Sequence, residues 1–263
     1  MLNTYEQAVK GPSIQIGEHM AKRARKTKKQ QYQQEHSQDK IVQLNAHRKR
    51  HVQIVPRNLA QEDYVELLDD EKRNIVFAMG PAGTGKTLLG VLAAIDAYNS
   101  NLCSKIVITR PAVSVDEQHG FLPGTLVEKM APWTRPIFDV MEEYWSPSTI
   151  ENMINENIIE IAPLAYMRGR TFKNSWIIAD EMQNATPSQM KMLLTRIGEN
   201  SKIIVTGDLA QHDRGFEDNG LKNFVKLLEQ KGSNIIGVNR FTKGDVERHI
   251  AVTEVLTIYG DED

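Results

Sequence analysis

Eight consecutive residues, Gly80-Pro-Ala-Gly-Thr-Gly-Lys86-Thr87, follow the pattern G-x-x-x-x-G-K-T. Glycines at this spacing let a backbone curl until its N–H groups point inward, and the positive end of a following helix dipole adds to their pull on phosphate. Gly80, Pro81, Ala82, Gly83, Thr84 and Gly85 would form the cradle. Lys86 would reach the β- and γ-phosphates, and the Thr87 hydroxyl would ligate Mg²⁺. The ligand this implies is ATP with Mg²⁺. The plain alternative is a glycine-rich turn ahead of an ordinary helix. A chance match in a chain of this length is on the order of one per cent, before any demand on the flanks.

Cleavage needs a carboxylate to hold the metal and a base to activate water. Trp176-Ile-Ile-Ala-Asp180-Glu181 offers both at the end of an apolar run, where ligands of parallel sheets bind. Asp180 would hold the Mg²⁺ water shell; Glu181 would orient and deprotonate the attacking water. A small-molecule kinase needs no such base, so Glu181 favours hydrolysis over transfer. Lys202-Ile-Ile-Val-Thr206 runs into Gly207-Asp208-Leu-Ala-Gln211. Gln211 would sense the γ-phosphate or the attacking water; a polar turn after a strand is an equal alternative.

These groups must be positioned by something, and the body of the chain supplies alternating short β-branched runs and helical stretches. Strands are predicted at Asn74–Met79, Lys105–Arg110, Ile158–Ala162, Trp176–Ala179, Lys202–Thr206 and Asn234–Val238. Several are continuously apolar, as strands covered on both faces must be. Helices are predicted at Lys86–Ser100, Leu126–Tyr144, Thr186–Arg196 and Gly220–Gln230. Thr186-Pro-Ser-Gln189 carries a capping Thr, Pro at the first helical position and a Gln to complete a capping box. Strand–helix alternation implies an α/β fold with a parallel sheet and helices on both faces.

The chain has 263 residues with a formal net charge of −2, which averages two unlike parts. Residues 1–56 hold eleven Lys/Arg against four Asp/Glu, +7; the remainder holds 21 against 30, −9. We read 1–56 as a flexible basic arm and 57–263 as one domain. Lys22-Arg-Ala-Arg-Lys-Thr-Lys-Lys29 and His47-Arg-Lys-Arg-His51 point the arm at a polyanion, nucleic acid first; a solubilising tail or an oligomer contact is the alternative. A single cysteine, Cys103, excludes an internal disulfide and a multi-cysteine metal site within one chain. No apolar run approaches the ~20 residues of a membrane span, and the first residues lack a signal-peptide pattern, so a cytoplasmic location is expected.

The ordered set Gly80–Thr87, Ile108-Thr-Arg-Pro-Ala-Val113, Gly120-Phe-Leu-Pro-Gly124, Ile161-Ala-Pro-Leu-Ala-Tyr-Met-Arg-Gly-Arg170, Asp180-Glu-Met-Gln183 and Thr206–Gln211 resembles the PhoH-like ATPases. That family is similar to the first motor domain of superfamily 1 helicases. The resemblance covers residues 57–263 and implies a RecA-like P-loop NTPase. It also implies roles for further residues. Gln61 matches a glutamine that reads the adenine edge, with a surface helix residue as the alternative. Thr109 and Arg110 fall where helicase-like proteins contact the nucleic-acid backbone. Met182 replaces the family's alanine and faces neither phosphate nor metal. Arg168, Arg170, Arg240 and Arg248 are candidates for an arginine finger, with surface salt bridges as the alternative. Some members carry a PIN nuclease domain; residues 1–56 are too few for one.

Superfamily 1 helicases place ATP between two motor domains, and this chain has room for one. A neighbouring copy is the simplest source of the missing arginine, which predicts a head-to-tail homo-oligomer, by resemblance a hexameric ring. The expected function is ATP hydrolysis driving RNA remodelling or unwinding, in a bacterial or virus-infected bacterial cytoplasm. A DNA-directed motor and an ATP-gated nucleic-acid scaffold are the competing expectations.

Overall fold

The computed structural model describes residues 52–111, 126–211 and 219–259. The basic clusters of the arm and the Gly120–Gly124 motif lie outside the described residues. Six parallel strands form one sheet: β1 (Ile75–Met79), β2 (Lys105–Thr109), β3 (Ile159–Ile161), β4 (Ser175–Ala179), β5 (Lys202–Gly207) and β6 (Ile236–Arg240), in the order β3-β2-β4-β5-β1-β6. All six predicted strands are present. β6 is shifted towards the C-terminus, because its pairing with β1 runs from Ile75↔Ile236 to Met79↔Arg240. An edge strand that is only partly buried admits Asn239 and Arg240, which an apolar-run criterion misses.

The helices are α1 (Leu59–Asp69), α2 (Lys86–Asn99), α3 (Leu126–Glu142), α4 (Pro147–Asn155), α5 (Pro187–Leu194), α6 (Gly220–Lys231) and α7 (Ile250–Tyr259). Residues alternate along each strand between two cores. Val76, Ala78, Ile106, Ile108 and Ile204 pack with Tyr64 and Leu68 of α1, Ile95 of α2 and Met141 of α3. Ile75, Phe77, Val107, Ile177 and Ile203 pack with Met190 and Leu193 of α5 and Leu221 of α6. The sheet is thus covered on both faces, the α/β P-loop architecture expected from the sequence.

The capping box of α5 forms as predicted, with Gln189 N–H on Thr186 Oγ1 (3.3 Å) and Thr186 N–H on Gln189 Oε1 (2.9 Å). Helices α1, α4 and α7 were not predicted. The first buries a glutamine, Gln61, on its inner face with Tyr64 and Leu68, and the second buries only Ile150 and Met153. The third is apolar at seven of its ten positions, which leaves only a weak helical period to detect. Among the described residues no helix is long and apolar enough to cross a membrane.

Strand register sets the working rim. Met79 pairs with Gly207, Thr109 with Ala179, and Ala179 with Val205, so β1 and β5 run two residues beyond β2 and β4 at the same end of the sheet. Gly80 N–H bonds Gly207 O (3.2 Å) and Asp180 N–H bonds Thr109 O (3.0 Å), extending that order one residue beyond the strands. β5 therefore stands between the strand carrying the glycine loop and the strand carrying the acidic pair.

Candidate nucleotide site

The loop after β1 is held by glycines for a conformational reason. Gly80, Gly83 and Gly85 have φ of +146°, +84° and +83°, a region L side chains rarely adopt. A Cβ on Gly80 would also sit 2.4 Å from Phe241 O. The loop feeds straight into α2, whose 14 residues align the peptide dipoles behind it. With Asp180, Glu181, Asp208 and Gln211 it lines a cavity of about 290 Å³.

Lys86 is folded onto its own loop: its ammonium donates to Gly80 O (2.6 Å), Pro81 O (2.5 Å) and Thr84 Oγ1 (3.4 Å). Burial pulls its pKa below the usual lysine value, while Asp208, Glu181 and Asp180 pull the other way. Three carboxylates thus face one ammonium. Asp180 Oδ1 accepts from Thr87 Oγ1 at 2.8 Å and from the Thr206 hydroxyl. Glu181 has φ of +54°, an uncommon conformation for a residue with a side chain. Its carboxylate accepts from Gln183 Nε2, and Gln183 Oε1 accepts from Asp208 N–H at 3.1 Å.

Gln183, Thr206 and Asp208 carry these contacts, and none was singled out as a site residue from the sequence. The signal was present: all three stand inside the two motifs quoted above. Asp208 also orders the turn to Gln211 by accepting from Ala210 N–H (2.9 Å). Gln211 itself is exposed at the cavity wall.

The donor set suits ATP and Mg²⁺. A hydroxyl and a carboxylate are hard oxygen ligands, few enough to leave positions for water and phosphate, as Mg²⁺ requires. A loop turned by left-handed glycines, a helix N-terminus and an ammonium together suit a polyphosphate.

Gln61 lies behind the loop and is only 4 % exposed, which corrects the surface-helix alternative. Its amide donates to Thr84 O (3.1 Å) and accepts from Arg57 N–H (2.9 Å), so the side chain braces the loop. Thr109 is fully buried with an unpaired hydroxyl, so its side chain offers a polymer nothing here; Arg110, beside it, is half-buried. The four arginines divide. Arg170 bonds both oxygens of Glu160 (2.5 and 3.0 Å) and stacks over Phe172 at 4.4 Å. Arg240 pairs with Glu229. Arg248 donates to Ala82 O at 3.2 Å, on the phosphate loop of its own chain. Arg168 is exposed.

The sequence model of the PhoH-like protein family matches residues 53–260. The chain belongs to the PhoH-like family. It is 43 % identical over 220 residues to a PhoH-like protein of Mycobacterium bovis, 83 % of this chain and 61 % of that protein. It is 42 % identical over 205 residues to a PhoH-like protein of Bacillus subtilis, 77 % and 63 % of the two chains. Protein PhoH of Escherichia coli K12 is 41 % identical over 210 residues, 78 % and 58 %. This PhoH-like chain thus spans about three fifths of the length of the curated relatives it matches. The matched region includes the phosphate loop, the acidic pair and α7, and begins after the basic clusters.

Proposed function

We propose that this PhoH-like chain hydrolyses ATP with Mg²⁺ and uses the cycle to remodel RNA as a head-to-tail ring in the bacterial cytoplasm. The observation that carries the proposal is the convergence of Lys86, Thr87, Asp180 and Glu181 on one cavity at the rim of the parallel sheet.

Thr87 and Asp180 would hold Mg²⁺, which would supply charge neutralisation at the phosphates. Thr206, also bonded to Asp180 Oδ1, keeps that carboxylate turned towards Thr87. Lys86 exchanges the carbonyls of Gly80 and Pro81 for phosphate oxygens. Glu181, oriented by Gln183, takes a proton from water as the water oxygen bonds to the γ-phosphorus. The bond from that phosphorus to the β–γ bridging oxygen breaks, leaving ADP and inorganic phosphate. Loss of the γ-phosphate is felt at once by Asp208, because Gln183 joins it to Glu181. The signal passes through the turn after β5, where Gln211 N–H bonds Asp208 O (3.2 Å).

RNA is the favoured polymer, with the basic arm and Arg110 as contacts. The deciding experiment is turnover of wild type and Lys86→Ala with no polymer, RNA, single-stranded DNA and duplex DNA. Lys86-dependent turnover stimulated by RNA supports the reading; stimulation by DNA alone redirects it to a DNA motor. Turnover indifferent to every polymer replaces the motor with a scaffold.

A further inference from the structure

Residues 57–263 are acidic as a whole, with 21 Lys/Arg against 30 Asp/Glu, but the acids are unevenly spread. Residues 97–111, 161–179 and 182–198 hold two, three and two Lys/Arg and not one Asp or Glu. The fold makes one surface of these three stretches.

The first stretch carries β2 and its exit at Arg110; the second leaves β3, the neighbouring strand; the third holds α5. Ala162 N–H bonds Ile108 O (2.9 Å), so the chain leaves β2 and β3 side by side. It then forms a 3₁₀ turn, Leu164–Met167, whose Leu164 and Met167 are buried in one core with Met190 and Leu193 of α5. Beyond the turn, Phe172 N–H bonds Arg196 O (2.9 Å), and Arg196 Nη1 donates to Arg170 O (3.1 Å). Two acids border the surface without cancelling it. Glu160 is shared between Lys105 (2.9 Å) and Arg170 (2.5 Å), and Glu199 meets Lys173 (3.2 Å). Arg110, Arg168 and Arg196 meet no carboxylate among the described residues; Arg196 bonds only carbonyls and a hydroxyl.

An aromatic ring stands among these charges. With Leu164 and Met167 holding the turn to the core, Tyr166 is left 65 % exposed and Arg168 is exposed beside it. Gly169 (φ +79°) leaves open space next to them. An exposed ring offers a base its face while guanidinium groups take phosphates, which is how proteins hold single strands. Duplex bases are stacked on one another and have no face to give. An acidic peptide would use the cations and leave the ring idle.

Resting on the polymer-directed reading above, we propose that this surface binds a single strand of nucleic acid, with residues distinct from those of the basic arm. A base stacks on Tyr166, and the phosphates on either side meet Arg168 and Arg110. One bond joins this surface to the nucleotide site: Asp180 N–H donates to Thr109 O (3.0 Å), and Arg110 is the next residue. A strand drawn against Arg110 bears on the backbone that seats Asp180, so polymer binding has a route to hydrolysis.

The test measures binding of the full chain to fluorescent oligouridylate and oligodeoxythymidylate over a range of salt. Tyr166→Ala should weaken affinity roughly 5- to 100-fold with the salt dependence unchanged, and Tyr166→Phe should retain the wild-type value. Arg168→Ala should reduce the slope of log K against log salt by about 0.7, the share of one phosphate on a single strand. Polymer-free turnover of Tyr166→Ala should equal wild type while its stimulation by polymer falls. Binding of either strand supports the proposal, and the tighter one tells RNA from DNA. Unchanged affinity in Tyr166→Ala overturns the proposal alone, as does release of the strand by polyglutamate as readily as by unlabelled strand. Loss of polymer-free turnover in Arg168→Ala would assign that residue to the nucleotide and overturn it too. A wild-type chain that binds neither strand overturns the polymer reading and the proposal with it.

Discussion

Thr87 and Asp180 lie 93 positions apart in the chain, yet the threonine hydroxyl donates to the aspartate Oδ1 at 2.8 Å. The first residue of that pair follows the phosphate loop on α2, and the second directly follows β4, with β5 between β4 and β1. The two residues proposed to hold Mg²⁺ thus already touch. Asp180→Asn keeps the shape and removes the charge. Its Mg²⁺-dependent turnover should fall roughly 10²-fold or more, while affinity for ATP without metal changes little. Turnover against Mg²⁺ concentration, paired with nucleotide binding in a chelator, separates the two.

Gln183 joins Glu181 to Asp208 across the ends of β4 and β5 and is almost wholly buried. Gln183→Leu fills the same space but leaves the Asp208 N–H without that acceptor. A stability loss of about 1–3 kcal/mol is expected in urea titration. Turnover should fall further than stability implies, since Glu181 loses its orienting donor; an unchanged rate would make Gln183 purely structural.

Phe241 covers the start of the phosphate loop: its N–H bonds Met79 O (2.7 Å), and its ring meets Tyr64 edge-on at 5.8 Å. Phe241→Ala should cost about 3–5 kcal/mol by opening a cavity under the loop. ATP affinity should weaken along with the melting temperature, because Gly80 is packed against that residue.

Lys202 is buried at the start of β5, where it donates to Leu68 O and Asp70 O (3.1 Å) at the end of α1 and lies 5.1 Å over the Trp176 ring. Burial lowers its pKa from 10.5 to about 8, against the pull of Asp69, Asp70 and Glu71. A folded-state value below the unfolded one means the unfolded chain binds more protons between those limits. Stability should therefore rise as pH goes from about 8 towards 10, by on the order of 2–3 kcal/mol at most. Urea midpoints at pH 8, 9 and 10 should show the rise in wild type and not in Lys202→Met.

The basic arm makes a prediction independent of the site. Deleting residues 1–50 should weaken RNA binding and flatten its dependence on salt, since fewer counterions are released. Equal affinity and slope at two salt concentrations would remove the arm from the polymer-binding surface.

The phosphate loop was legible because its chemistry is local: Gly80, Gly83 and Gly85 answer a backbone requirement within eight residues, and Lys86 needs only the helix that follows. The strands were legible because residues buried on both faces leave continuous apolar runs, as in Ile75–Met79 and Lys202–Gly207. β6 was misplaced by two residues because its C-terminal half pairs with β1 while keeping polar side chains. Gln61 could not be placed, since a glutamine facing inward and one facing water look alike when the partner, Thr84 O, lies beyond a strand and a loop.

By itself, then, the sequence determined the phosphate cradle, the acidic pair, the parallel α/β class and the contrast between a basic arm and an acidic body, all properties of short spans. Tertiary structure decided which residues meet. Strand order set β5 between the loop and the acidic pair and made Gln183 a bridge. Packing tied Arg170 to Glu160 and Arg248 to Ala82, left Arg168 exposed without a partner among the described residues, and held α7 clear of the core. Those outcomes depend on contacts between residues far apart in the chain, which side-chain type and local spacing do not encode.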